Sequence, residues 1–406
     1  AEQGQKAVLL EKGRIAGEQS SRNWGWIRKL GRDAAELPIM VEAARLWDGM
    51  SARIGADVGY RKEGIIYLAR SEKEQAARDV HYETAKQNGV AVDRLSRPEI
   101  DEIVQGRPGY WLSGIRCPSD GRAEPFIAVP TMARAAQKAG VLIRENCAVR
   151  GLQKSGGRVS GVVCEDGEIK ADKVLLAGGS WSALFLNRHG IFFPQLSVRA
   201  SAARLGPAPD IFAGCASDPE FAFRRCEDGG YFVALTDHSD YFLGPSGLRH
   251  TLLYAKSAWG SAGSLYYKLA APKGYPDAWG TKRKWRDDET TPFENTRVLD
   301  PAPWKGFEDK LKQRIAERFP ALADVPITKS WAGMIDTMPD TVPTMDAIPG
   351  LEGAWVASGF SGHGFGIGPA VGQVMTDLML GRPTGFDLSR FRFDRFSDGS
   401  PIRPGP

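Results

Sequence analysis

Between Gly359 and Gly368 the chain places five glycines in ten residues, and the apolar stripe Ile367, Val371, Val374, Met375 and Leu378 of a helix overlaps and follows them. Glycine loses more conformational freedom on folding than any other residue, so a merely structural loop gains little from five. Glycines ahead of a helix open its first backbone N–H groups, at the positive end of the dipole, to close approach. The segment therefore predicts a site for an anion or an electron-rich carbonyl over Gly359, Ser361, Gly362, His363, Gly364 and Phe365. Close approach asks for residues without a Cβ, or with positive φ, at Gly362 and Gly364. His363 alone reads either as a packed, hydrogen-bonded histidine or as a catalytic base. Gly381 and Pro383 stop the helix.

Other segments carry chemistry only in combination. The apolar run Ala7–Leu10 reads as a buried strand, and Glu11 at its end is placed as an acid that accepts hydrogen bonds from ribose hydroxyls. The glycine-rich turn GxGxxG that should lie roughly 20 residues before such an acid is not in the sequence. Residues 1–6 would then be the end of the helix after that turn, and the expectation is a numbering that starts inside the natural protein. In Gln19–Trp26, small hydroxyl residues and Gly25 suit either an ordinary polar loop or a backbone lying against a large ligand. The apolar Leu175–Ala177 runs into Gly178 and Gly179, leaving no side chain at a strand's carboxyl end, where ligands of open α/β sheets sit. In Trp331–Asp340, acids beside prolines read as turn formers.

The order of elements suggests their assembly. Strands are expected at Gly64–Ala69, Val141–Ile143, Arg158–Val163, Lys173–Ala177 and Trp355–Ala357, and helices at Pro38–Arg53, Glu72–Asn88, Ala128–Ala139, Lys310–Phe319 and Phe365–Leu380. Short strands and turns are expected throughout Leu196–Leu253, an irregular excursion over Pro272–Phe307, and a loose tail from Ser400. This predicts an α/β (α+β) chain: a Rossmann-like domain from discontinuous segments 1–55, 121–190 and 326–390, a tail 391–406, and an inserted antiparallel sheet domain from 56–120 and 191–325. A ligand then belongs between the two parts.

Composition narrows the partners. Fifty-three basic and 49 acidic residues give a net charge of +4, weak grounds for nucleic acid or an anionic membrane. No apolar run approaches the ~18–20 residues of a spanning helix. Five cysteines without CxxC spacing read as free thiols in a reducing, cytoplasmic compartment, and five scattered histidines do not suit a metal site. The basic cluster Lys282–Arg286 is followed by three acids and reads as a self-compensated loop.

In order and spacing these segments resemble the D-amino-acid oxidase-like family of FAD-dependent oxidoreductases. The quoted segments are Leu9–Lys12, Ser20–Gly25, Gly121 to Val149, Ala177–Trp181, Trp331–Gly333 with Pro339–Asp340, and Gly359–Phe365. The resemblance implies FAD held by Glu11, Lys12, Ser20, Ser21, Arg22, Asn23, Gly25, Val149, Ala177, Gly178, Gly179, Trp181 and the late glycine loop. That loop would face the flavin pyrimidine and stabilise negative charge on the reduced ring. The resemblance also implies oxidation of a C–N bond to an imine by hydride transfer to flavin N5, with oxygen, a quinone or a partner subunit as acceptor. Ile335 stands where glycine oxidase and the D-amino-acid oxidases place a carboxylate-binding Arg, so an amine or N-substituted amino acid is expected rather than an ordinary D-amino acid. Gly333 replaces the flavin-linking Cys of monomeric sarcosine oxidases and no His lies near Arg22, so the FAD is expected to be non-covalent. Substrate contacts are assigned to Trp26, Arg225, Tyr231 and Ile335, and catalytic roles to His363 and Tyr254. The alternative is a non-catalytic or electron-relay subunit of a multi-subunit dehydrogenase.

Overall fold

Two of the parallel pairings of the fold join short apolar strands from distant parts of the chain. In the computed structural model, which describes residues 1–260 and 263–405, Val8–Leu10 pairs in parallel with Leu142–Arg144. Val174–Leu176 pairs in parallel with Ala354–Ser358, which in turn pairs antiparallel with Thr344–Ala347. An antiparallel meander, Val149–Ser155, Arg158–Cys164 and Gly167–Lys170, lies between them in sequence. Helix Gly364–Leu380 packs its apolar face, including Ile367, Val371 and Val374, into a core shared with Met40, Trp47 and Met50 of helix Glu36–Ile54. Gly366 makes that approach possible: a Cβ there would lie 3.0 Å from the Trp26 carbonyl oxygen.

Trp26–Ile27 pairs antiparallel with Gly121–Arg122, and the remaining strands build one sheet of ten. It is antiparallel over most of its width and is centred on Leu196–Leu205, which pairs with Tyr231–Leu235, Ser239–Phe242 and Ile327–Thr337. One face buries Phe221, Phe223, Tyr231, Phe307 and Phe319. Ile327–Thr337 begins just past the boundary expected at residue 325. It runs as a strand of this sheet and delivers its carboxyl end, Ile335 to Thr337, to the glycine loop, where Phe360 bridges to Thr337.

Most expected elements form within a few residues of their expected ends, and three regions differ. Helix Pro125–Lys138 starts earlier than expected because Pro125 needs no N–H at the first helical position. Pro245–Gly260 is a helix rather than strands and turns, and Asp277 accepts its early amides Ser246 N and Gly247 N. The tail is anchored, not loose. Arg395 and Asp340 form a buried bidentate pair at 2.9 and 3.1 Å, Phe391 is fully buried, and Gly405 N bonds Asp340 O. Asp340 is thus the buried partner of Arg395, not only a turn former; Pro406 of the tail lies outside the described residues. Among the described residues no helix is long and apolar enough to cross a membrane.

Candidate functional site

Two strand edges face one space. Val8, Leu9 and Leu10 on one side and Val174, Leu175 and Leu176 on the other line a cavity of about 2130 Å³, at least twice the ~300–1,000 Å³ of an ordinary ligand pocket. Eight of the residues assigned to the cofactor line it: Glu11, Lys12, Ser20, Val149, Ala177, Gly178, Gly179 and Trp181. Strand ends put Glu11, Lys12, Ala177, Gly178 and Gly179 there, as the carboxyl ends of parallel strands do in open α/β sheets.

Glu11 is half-buried at the end of its strand. It accepts the Gly13 amide at 2.8 Å on Oε1, and burial raises its pKa above the usual carboxylate range. Lys12 is already committed, its Nζ donating to Glu18 and to the carbonyls of Thr296 and Arg297. Glu18 gathers three donors, accepting also from Trp181 Nε1 and Leu299 N. Trp181 is therefore a wall fixed from behind. Gly179 has φ +52°, and a Cβ on it would lie 2.8 Å from the Gln19 amide nitrogen. The bare glycine pair is what lets Gln19 cross the strand end.

The late glycine loop lies beside this cavity rather than on its wall. It is pinned by a buried carboxylate that the turn-former reading of the sequence overlooked. Asp336 Oδ2 accepts from Gly359 N at 2.7 Å, Gln195 Nε2 at 3.1 Å and Ser358 Oγ at 3.3 Å, while Asp336 O accepts from Ser361 N at 2.9 Å. Among the described residues no cation is bonded to Asp336, and burial raises its pKa despite these donors. Gln19 Oε1 accepts from Asp336 N, so the loops at 19 and 359 share one anchor. Gly359 and Gly362 have φ +79° and +84°, and Ser361, a non-glycine, has φ +51°. Gly364 opens the helix without a positive φ, and what asks for glycine there is the Phe360 side chain, 3.1 Å from where a Cβ would sit. Phe365 packs on Trp47 in the core.

His363 fits neither half of its description fully. It is enclosed, yet among the described residues its Nδ1 has no hydrogen-bond partner; the nearest acid, Glu36 of the buried Arg32–Glu36 pair, is 3.9 Å away. Burial, then Arg28 and Arg32, push its pKa well below the ordinary value, so it is neutral at pH 7.

The Ser20–Gly25 loop is a turn of helix closed by Asn23. Asn23 Nδ2 donates to the carbonyls of Gln19 and Ser20, and its Oδ1 accepts Gly25 N. Ser21 is buried with its hydroxyl on Glu18 O. Arg22 donates to Ala332 O and Gly17 O and pairs with the exposed Asp300. The loop is held from below by Arg224, which donates to Trp24 O and bidentately to Glu124, at 2.6 and 3.1 Å.

Three assigned residues are corrected. Arg225 follows Arg224 on the strand Phe221–Arg225, so it points to the opposite face. There it donates to the carbonyls of Ala208 and Pro209 and stacks on Tyr231. Tyr231 is fully buried, donates to Pro209 O and accepts Ile211 N. Tyr254 accepts Leu196 N and lies against the carbonyls of Pro194 and Thr337, and burial raises its pKa well above the ordinary phenol value. None of the three lines the cavity; each ties loops to the big sheet. Trp26 is buried against Trp24 and Tyr67. Ile335 lies across from Gly362, its Cγ2 3.7 Å from the position of a Cβ there. A second, open cleft of about 540 Å³ is lined by Arg14, Ser21, Arg22, Phe126, Lys329 and Trp331 among others. Sequence reasoning assigned it no role.

The family described as FAD dependent oxidoreductase (DAO) matches residues 1–378. The chain belongs to this family. Its DAO relatives include a glycine oxidase of Pseudomonas aeruginosa, 27% identical over 298 residues, 71% of this chain and 65% of that one. A 4-methylaminobutanoate oxidase (formaldehyde-forming) of Paenarthrobacter nicotinovorans is 24% identical over 84% of this chain and 37% of its own length. The match thus spans less than two thirds of either curated relative. Among solved structures, the L-amino acid deaminase of Proteus myxofaciens in complex with anthranilate superposes with a TM-score of 0.92 at 28% identity, covering 98% of this chain and 89% of that one. DAO proteins are FAD-dependent, and this site fits the cofactor. Glu11 borders the cavity with one carboxylate oxygen uncommitted, the glycine pair leaves a wall without side chains, and the buried Ser180 hydroxyl has no partner among the described residues.

Proposed function

We propose that the protein is an FAD-dependent oxidoreductase that oxidises the C–N bond of an amine or N-substituted amino acid. The observation that carries this reading is that Glu11 and Gly178–Gly179 line one cavity while the Asp336-pinned glycine loop lies beside it, tied to it through Gln19. When bound, FAD supplies the acceptor for a hydride from the substrate carbon to N5 and passes the electrons to oxygen or another acceptor. Glu11 would accept the ribose hydroxyls, and Ala177–Gly179 with Trp181 would bound the cofactor at the strand end. Asp336 takes up Gly359 N and Ser361 N and so holds the loop at 359–362 in a fixed shape; the remaining amides of the loop and of the helix start need no reorganisation when charge develops nearby. His363 is neutral, and the main chain therefore supplies the polarity of this wall.

The substrate class follows from what the site offers. Ile335 cannot clamp a carboxylate. Three cations and two aromatic rings line the 540 Å³ cleft, and among the described residues Arg22 there has the exposed Asp300 as its only ionic partner. A substrate that joins a carboxylate to an apolar or N-alkyl group suits that lining, with Arg22 as the charge-assisted partner. The test is a screen of N-methyl amino acids against plain D-amino acids by anaerobic loss of the flavin absorbance. N-substituted substrates should bleach the chromophore and D-alanine should not; the reverse pattern refutes the assignment.

A further inference from the structure

We propose that the face of helix Pro245–Gly260, with the adjoining edge strand Leu265–Lys268, docks on the surface of an anionic lipid bilayer. On this helix the outward side is the apolar one. Leu248, Leu252, Ala255 and Trp259 are spaced i, i+4, i+7 and i+11, which places them within about 60° of one another at 3.6 residues per turn. All four are exposed, Leu252 by 91% and Trp259 by 87%. The opposite side carries His250, buried, and the Tyr254 hydroxyl, bonded to the backbone of Leu196. A helix that only covered its own core would have these sides reversed.

The patch continues beyond the helix. Leu243, just before the helix, bonds to Lys268 O through its amide and accepts Trp279 Nε1 on its carbonyl. Tyr241 lies under Gly247 and packs edge-on against Tyr267. Tyr267, Leu269 and Trp279 are exposed around this entry, Leu269 by 90%. The strand is the outer edge of the ten-stranded sheet. Exposed leucine, tryptophan and tyrosine gathered in one place mark an interaction surface, and tryptophan and tyrosine are the residues of a membrane–water boundary.

Charge selects the occupant. From Tyr241 to Pro276 the chain has four basic residues, Arg249, Lys256, Lys268 and Lys273, and no acidic one. Those four equal the net charge of +4 carried by all 406 residues, so the rest of the chain balances to zero. Arg249 and Lys256 lie on one flank of the apolar stripe and are exposed. The acids that border the segment are committed: Asp240 is buried against Arg199 and also pairs with Lys268 at 3.3 Å, and Asp277 holds Arg283 and the helix start, which leaves Arg249 and Lys256 to edge the helix stripe. An apolar stripe edged by cations without acids matches anionic headgroups above acyl chains. A second copy of the same basic face would be repelled.

The full chain is mixed with vesicles of phosphatidylcholine alone, or of phosphatidylcholine and phosphatidylglycerol in equal parts, and floated through sucrose. The protein should float with the anionic vesicles, and high salt should weaken this. Leu252→Glu with Trp259→Glu should cut the floated fraction about tenfold or more, with an unchanged circular dichroism spectrum. Arg249→Glu with Lys256→Glu, which leaves the apolar stripe intact, should also release it. Equal flotation of both double variants and the parent, or no flotation on either vesicle, overturns the proposal. A parent chain that elutes as a dimer and is split by Leu252→Glu also overturns it, because the patch then joins copies of the chain.

Discussion

The loop before the final helix makes a quantitative demand on two of its glycines. Gly359 and Gly362 both have φ near +80°, and an L side chain in that region costs about 1–2 kcal/mol. Their surroundings differ. A Cβ on Gly359 would lie 2.3 Å from Met338 Cγ and 2.5 Å from Sδ, and Met338 is fully buried, so accommodation adds about 1–3 kcal/mol. At Gly362 the nearest atom, Ile335 Cγ2, is at 3.7 Å, an ordinary contact. Gly359→Ala should therefore destabilise by about 2–5 kcal/mol and Gly362→Ala by about 1–2 kcal/mol. Urea unfolding followed by fluorescence of the eleven tryptophans measures both. Adding Met338→Ala to Gly359→Ala should cost less than the sum of the single changes, because the deletion makes room for the new methyl. If Gly359→Ala is no worse than Gly362→Ala, the loop is not packed against Met338 as described.

Further outcomes follow from the same geometry. Glu11→Ala should weaken FAD binding by about 1.5–3 kcal/mol, read by flavin fluorescence, while turnover at saturating FAD barely changes. With Gly333 in place of a linking Cys, acid precipitation should release the yellow chromophore into the supernatant; colour in the pellet contradicts this. Arg224→Met leaves Glu124 buried without its bidentate partner and should cost about 3–5 kcal/mol by urea unfolding. Burial lowers the pKa of His81 and His189 to about 4. The unfolded chain thus binds protons from about pH 6.5 downward that the folded chain refuses until about pH 4. Stability should fall across that window, and His189→Gln should flatten the fall.

Much of the candidate site's backbone was legible because its signals are local. A strand ending in Glu11, a strand ending in Gly178–Gly179 and a glycine-rich approach to a helix each announce a backbone geometry from adjacent residues. What stayed hidden depends on distant partners. Asp336 looked like a turn former, yet its role comes from Gln195 and Gly359, which the sheet register brings to it. Arg224 and Arg225 are adjacent in sequence, and only the alternation of the strand Phe221–Arg225 separates the one that holds the Trp24 loop from the one that closes a remote loop. Helix Pro245–Gly260 was missed because its apolar stripe faces outward and its cap, Asp277, lies 31 residues beyond Ser246. The segment from Ser400 read as loose because its anchor, the Asp340 carbonyl that accepts Gly405 N, lies far back in the sequence.

The most direct test of the account is an anaerobic titration of the FAD-loaded protein with an N-methyl amino acid, followed by the visible flavin absorbance. The account predicts that the absorbance is lost, with one imine or its hydrolysis products formed per flavin, and that Arg22→Ala raises the substrate concentration required. Flavin that binds but is bleached by no amine or amino acid would contradict it, and would leave the electron-relay subunit as the better description.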